Sequence, residues 1–308
     1  MMPLFRFIFK RACYSAAVIL AVLTIVWVIV NQIGDPVRLL LPVEAGPELI
    51  AATRMKFGLD DPMAERFLRD LTGWLQGDFG NSLWQGVPAL PLVLDRLPNT
   101  ILLSFATLGF AVPMAIALAV ISVLRPGKLI DNILSTLSLA GVSIADFWLG
   151  LMLILIVAVQ FGWLPTSGFN SPEYIILPLL TLAFRPIGRL SQVARSSLLE
   201  EMSKPYITTL RAQGMSEFRI VRRHAMKNSL ISFITVSGDE LTSLLNGAVV
   251  VETIFAWPGI GSLFIQAITR RDLPLIIPCV LVIALMVVLV NLIVDLLYAK
   301  VDARTSNY

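Results

Sequence analysis

The sequence predicts an all-α integral membrane protein: a bundle of about six transmembrane helices with a long outer loop and a water-facing loop of two short helices. Three observations predict it. The 308 residues are 56% apolar and only 15% charged, with mean hydropathy +0.80, a composition foreign to soluble domains. Six apolar stretches reach the roughly 20 residues that cross a bilayer at about 1.5 Å per residue. The basic residues gather in alternate connections between those stretches, so the pI near 9.0 reports membrane orientation rather than nucleic-acid binding.

The first stretch, 9–31, follows Arg6 and includes Lys10 and Arg11, as a secretory signal would. Its apolar core, 12–30, is span-length and has no small-residue cleavage site, so 1–31 is expected to be a retained segment and helix. Residues 32–97 form the extracytoplasmic loop. There Asp60, Asp61, Glu65 and Asp70 mix with Phe57, Leu59, Phe67, Leu68 and Trp74, which predicts short amphipathic helices at the outer membrane surface sheltering Trp74, Phe79 and Trp84. A solvated hairpin is the alternative. The core, 98–301, holds the spans 100–124, 130–161, 173–199, 228–255 and 275–301, and 302–308 is a tail. Pro113, Pro178 and Pro186 interrupt spans, as is tolerated where neighbouring helices or a cavity satisfy the freed carbonyls; this favours a path over an inert anchor. Arg125, Lys128, Arg195, Lys300 and Arg304 fall on the side of the N-terminus, so both termini are expected to be cytoplasmic.

Polar residues inside spans are functional candidates by default. Asp146 in the third span either lines a path or is hydrogen-bonded to a neighbouring helix. In the fourth span Arg185 and Arg189 are four apart on one helix face. Arg185 lies deep enough to meet an anionic group of a substrate, while Arg189 is expected to snorkel to the inner headgroups. The fifth span carries Asp239, Glu240, Asn246 and Glu252. Adjacent acids cannot both face lipid, so Asp239 or Glu240 should point into the bundle.

Between the fourth and fifth spans lies 203–230, SKPYITTLRAQGMSEFRIVRRHAMKNSL. Lys204, Arg211, Arg219, Arg222, Arg223 and Lys227 keep it in water. Ser203 is the expected N-cap, Pro205 suits the first turn, and Gly214 ends that short helix. A second helix starts at Ser216 and runs into the next span. This pattern resembles the cytoplasmic EAA loop of binding-protein-dependent ABC importer permeases of type I, in the dipeptide, oligopeptide and nickel branch, as its first (B-type) permease. Thr208, Thr209 and Leu210 stand where the family has its E-A-A letters, and Ser232 where proline is common. Other landmarks are similar: G-D-P at 34–36, G-L-D-x-P at 58–62, G-D-F-G-x-S at 77–82, R-L-P-x-T at 96–100, E-x-I-F-x-W-P-G-x-G at 252–261 and N-L-x-V-D-L-L-Y at 291–298. Arginine is frequent in the family where this chain has Gln192, proline where it has Ala145 and Ala303.

The resemblance implies a coupling loop, 203–228, whose short helix docks in a groove of a cytoplasmic ATPase. Tyr206, Thr209, Leu210, Ala212, Gly214 and Met215 would form that contact, with Arg211 and Arg219 adding charge. It further implies a second homologous permease, two ABC ATPase subunits, an extracytoplasmic substrate-binding protein and residence in a bacterial or archaeal inner membrane. The translocation path would draw on Asp146, Arg185, Asp239, Glu240, Asn246 and Glu252. Glu252, inside the family's turn motif, is either a substrate contact or a structural fastener of the outer turn.

No enzyme signature accompanies these features. The chain has no G-x-x-x-x-G-K-[ST] phosphate loop, H-E-x-x-H pair or serine elbow, so no catalytic residue and no cofactor of its own is expected, with ATP and Mg on the partner ATPases. His224 is the single histidine and has no cysteine or carboxylate cluster around it for a metal. Cys13 and Cys279 sit in apolar runs and are expected to be buried thiols. Acids and a base within the bundle suit zwitterionic peptides. A nickel or metal-chelate importer is the alternative cargo, and an ion-coupled carrier or channel relaying through Asp146, Asp239 and Glu240 is the alternative class. A passive receptor fits the outer loop but not the kinked spans.

Overall fold

The computed structural model describes residues 2–32, 46–56 and 60–301. The landmark at 34–36, residues Phe57, Gly58 and Leu59, and the tail 302–308 lie outside the described residues. Among those described, the fold is helical: α1 Met2–Gln32, α2 Pro47–Lys56, α3 Met63–Leu75, α4 Ala89–Leu124, α5 Leu129–Ser143, α6 Asp146–Leu153, α7 Ile176–Met202, α8 Pro205–Ala212, α9 Glu217–Ile220, α10 Met226–Ile254, α11 Ile260–Thr269 and α12 Leu273–Val301. Wider π turns continue α6 over Ile154–Gln160 and link α9 to α10 over Val221–Ala225. Four of these stretches are long and apolar enough to cross a membrane, Phe9–Gln32, Ala89–Leu124, Pro172–Met202 and Leu273–Asp295, and α5 with α6 make a fifth if the pair counts as one span. The remaining expected span, the fifth in chain order, is α10. Its 29 residues reach about 43 Å, but with Asp239, Glu240 and Glu252 along it, it is not among those stretches.

The third span was expected to be continuous and is not. Its halves meet at a bend of 105°, where Ile144 and Ala145 are extended, with ψ of 130° and 133°. β-branched Ile144 favours that geometry, and Asp146 places a negative charge in the first turn of the new helix without a capping hydrogen bond.

The chain forms two compact units. The first comprises residues 1–98 and 259–288. Its centre is a series of aromatic rings: Trp27 of α1 lies 5.2 Å from Phe67, Phe67 lies 6.2 Å from Trp74, and Trp74 stacks on Phe79 at 6.5 Å. Such contacts add about 0.5–1.5 kcal/mol each beyond area burial. Trp27 Nε1 donates to Asp70 Oδ2 at 2.7 Å, satisfying the indole. Ser82 Oγ and the Trp84 amide both donate to buried Asp272, at 2.5 and 3.1 Å, so residues 63–84 are packed structure rather than a solvated hairpin. Phe79 is buried and Trp74 half-buried, but Trp84 is exposed, with the Arg270 guanidinium 3.8 Å over its ring. The same core takes in Ala89 and Val93, which is why α4 begins at Ala89 and not near 100. Cys279 is buried as expected, whereas Cys13 is exposed, together with Phe9, Tyr14 and Val18 along the first half of α1.

The second unit comprises residues 99–258 and 289–308. Here α7 is the central element, packed by α5, α6 and α10. Glycine is required where α5 crosses α7: a Cβ on Gly188 would sit 2.5 Å from the Ser138 carbonyl, and one on Gly141 2.8 Å from that of Phe184. The close approach lets the Ser138 and Ser191 hydroxyls meet at 2.7 Å, the small-residue packing that substitutes for a hydrophobic driving force in lipid. Lower on the same helix, Arg195 donates twice to buried Asp131 of α5 at 2.8 Å, and Ser122 of α4 also donates to that carboxylate.

Candidate functional site

The water-facing elbow is built by local rules. Pro205 occupies the first turn of α8, where its missing N–H is harmless. Ser203 is not the N-cap expected of it. Lys204 holds that position, and Ser203 closes the preceding helix, its hydroxyl donating to the Glu200 carbonyl at 2.7 Å. Gly214 has φ +80°, its amide donates to Arg211 O at 2.9 Å, and the Met215 amide donates to Leu210 O at 3.2 Å. These bonds make a complete Schellman motif, which satisfies the last carbonyls of α8 and needs the left-handed residue that glycine supplies. Ser216 then precedes α9 as expected.

Side chains fasten the elbow at both ends. The Tyr206 hydroxyl donates to buried Glu201 at 3.0 Å and receives Asn228 Nδ2 at 3.3 Å, while Lys204 also pairs with Glu201. Burial first, and then that bond to Glu201, pushes the Tyr206 hydroxyl above its ordinary pKa. Arg211 pairs with Glu217 across the turn at 2.6 and 3.2 Å, holding the Glu217 carboxyl below the usual carboxylate range. Thr209, Ala212, Gly214, Phe218 and Arg219 are exposed, and Leu210 and Met215 half-buried. Tyr206 and Arg211 thus hold the elbow itself together.

Within the bundle, α7 and α10 bring opposite charges together. Glu240 is fully buried and receives Arg189 Nη1 on Oε1 at 2.8 Å. Its other oxygen, Oε2, accepts no hydrogen bond and has Arg185 Nη2 at 3.8 Å. Arg185 instead donates to Ser243 Oγ at 2.5 Å. So Arg189, expected at the headgroups, is held by a carboxylate one helix away. Asp146, at the start of α6, is within electrostatic reach of Arg185 and Glu240, yet it makes no hydrogen bond or ion pair among the described residues, so the hydrogen-bonded alternative for it is not seen. Asp239 and Asn246 are exposed, so of the adjacent acids it is Glu240 that points inward.

Glu252 lies apart from this cluster. It is fully buried, accepts from Thr100 Oγ1 at 2.7 Å, and its carbonyl accepts the Trp257 amide at 2.8 Å. Trp257 Nε1 donates to Asn99 O at 3.1 Å and Asn99 Nδ2 to Pro258 O at 2.9 Å. Two landmarks more than 150 positions apart are therefore tied into one knot, the geometry of a fastener. Its turn passes through Ala256 at φ +48°.

Residues 111–307 match the family described as the binding-protein-dependent transport system inner membrane component. The chain belongs to this family. It is thus a multi-pass component of an inner-membrane transport system. The oligopeptide transport system permease protein AppB of Bacillus subtilis is 36% identical to it over 97% of this chain and 98% of its own length. The glutathione transport system permease protein GsiC of Salmonella typhimurium is 35% identical over 96% and 97% respectively. Among solved structures, an inward-facing form of the MetNI methionine ABC transporter covers 68% of this chain and 96% of its own with TM-score 0.59 at 18% identity, which is a likeness of fold.

The transport component contains functional candidates that the sequence reading passed over. Ser243 seats Arg185, Thr100 holds Glu252, and Phe218 is 53% exposed beside the elbow. Serine and threonine inside spans are too common to stand out. Phe218 could have been found as an aromatic in an otherwise basic, water-facing run.

Proposed function

We propose that the chain is the permease subunit of an ATP-driven importer, forming with a second homologous permease the path for di- or oligopeptides handed over by an external binding protein. The observation that carries this reading is the near full-length similarity to permeases named for oligopeptide and glutathione transport, which favours peptides over nickel as cargo. ATP and Mg belong to two partner ATPase subunits, and both termini lie on their side of the membrane. There the elbow α8–α9, with exposed Thr209, Ala212, Phe218 and Arg219, receives the motion of the closing ATPases. The completed Schellman turn bonds the last carbonyls of α8 and fixes the direction in which the chain leaves it. Midway along α7 and α10, Arg185 and Glu240, with Asp146 at the start of α6, supply both charge signs to a passing zwitterion.

The test is reconstitution. Proteoliposomes holding both permeases and both ATPases, supplied with peptide-loaded binding protein, are expected to accumulate peptide only with ATP, and vanadate should stop them. The chain alone under a proton or sodium gradient should move none. Gradient-driven uptake by the isolated chain would establish the carrier instead.

A further inference from the structure

Resting on the importer reading, we propose that Arg185 is the anchor for the C-terminal carboxylate of the passing peptide, with Asp146 receiving its α-ammonium. The argument starts from an imbalance. Glu240 lies between two guanidinium groups, and of the two only Arg189 bonds it, at 2.8 Å. Arg185 stands 3.8 Å from Glu240 Oε2, an oxygen that is buried and accepts no hydrogen bond. A cation bound to its counterion closes to about 2.7–2.9 Å, so Arg185 is held off.

What holds it off is Ser243, whose hydroxyl takes Arg185 Nη2 at 2.5 Å and contributes no charge. The Arg185 side chain is 34% exposed, so part of its fork of five donors remains open. Guanidinium donors match a carboxylate two at a time. Asp146 is the mirror image: a half-buried acid at the start of α6, the helix packed against both α7 and α10, with no hydrogen bond or ion pair among the described residues. A loosely held cation and an unpaired anion in one patch, each costly inside a membrane, fit a ligand carrying one charge of each sign.

The proposal is read from paired peptides in the reconstituted complex with saturating loaded binding protein. One peptide is used as the free acid, as its C-terminal amide and as its N-acetyl form. The binding protein is the same in every arm, so its own preference cancels from the variant-to-wild-type ratio. Arg185→Gln is expected to lower the free-acid-to-amide rate ratio by about tenfold, the scale of one charge-assisted hydrogen bond, while the free-amine-to-acetyl ratio stays as in wild type. Asp146→Asn should do the reverse. Arg185→Lys should retain part of the free-acid preference. Should Arg185→Gln fail to assemble, the Arg185→Lys and Asp146→Asn arms decide. Equal loss of both ratios in one variant, or of neither, overturns the proposal. Wild-type liposomes that take up no peptide with ATP would instead sink the importer reading on which it rests.

Discussion

Arg189 of α7 and Glu240 of α10 meet at 2.8 Å, and Glu240 has no exposed surface. The two residues are unequal. Arg189 keeps 46% of its side chain exposed and can find water, whereas Glu240 deprived of Arg189 is a buried charge with Arg185 only at 3.8 Å. Arg189→Leu is therefore expected to destabilise the protein by about 3 kcal/mol, the cost of stranding one member of a buried pair. Adding Glu240→Gln should restore most of that. Thermal unfolding of the detergent-solubilised protein measures both, and a double variant no more stable than Arg189→Leu would remove the pair as the cause.

Ala256 should become glycine with profit. It closes α10 at φ +48°, where its amide donates to Thr253 O and that of Trp257 to Glu252 O. A Cβ in the left-handed region costs about 1 kcal/mol. Ala256→Gly is expected to raise stability by somewhat less than that, because glycine also enlarges the entropy of the unfolded chain. A lowered melting temperature would contradict this account of the turn.

Gly214 differs in kind. Nothing lies within 4 Å of where its Cβ would be, so substitution meets no clash and only the backbone resists. Gly214→Ala should cost about 1 kcal/mol locally and keep partial transport, while β-branched Gly214→Val should abolish ATP-driven uptake with membrane insertion unchanged. Wild-type uptake by the valine variant would show that the shape of this turn does not matter.

The Arg211–Glu217 bridge is exposed on both sides, 46% and 50%, so its coupling energy in a double-variant cycle should be below about 1 kcal/mol. Its pH dependence has a definite sign. Arg211 lowers the Glu217 pKa, so the folded form holds its proton less tightly than the unfolded chain. The contribution is whole at neutral pH, begins to fade below the usual carboxylate value of about 4.3, and is gone once pH falls through the depressed one. A coupling that grows on acidification would rule the bridge out.

What the sequence discloses depends on distance along the chain. The elbow is legible because Pro205, Gly214 and Ser216 act within a turn of themselves; only the cap was misplaced, since Ser203 and Lys204 compete for one position. The spans are legible as apolar lengths, but not the break at Ile144 and Ala145, which contain neither glycine nor proline. The pairings are hidden because they depend on helix rotation: Arg189 and Glu240 are 51 positions apart and Thr100 and Glu252 152 apart. That an acid at 239 or 240 must face inward follows from the chain; which arginine it finds does not. The start of α4 at Ala89 was missed for a related reason, because hydropathy marks where lipid begins and not where a helix does.

The bonds that close the turn at Gly214 are all internal to it, and so is the Arg211–Glu217 brace. Any molecule that grips this knob encounters a finished shape and gives up little disorder in seizing it. The free energy of the grip is left over for displacement, as with a door handle that need not be assembled before it can be turned.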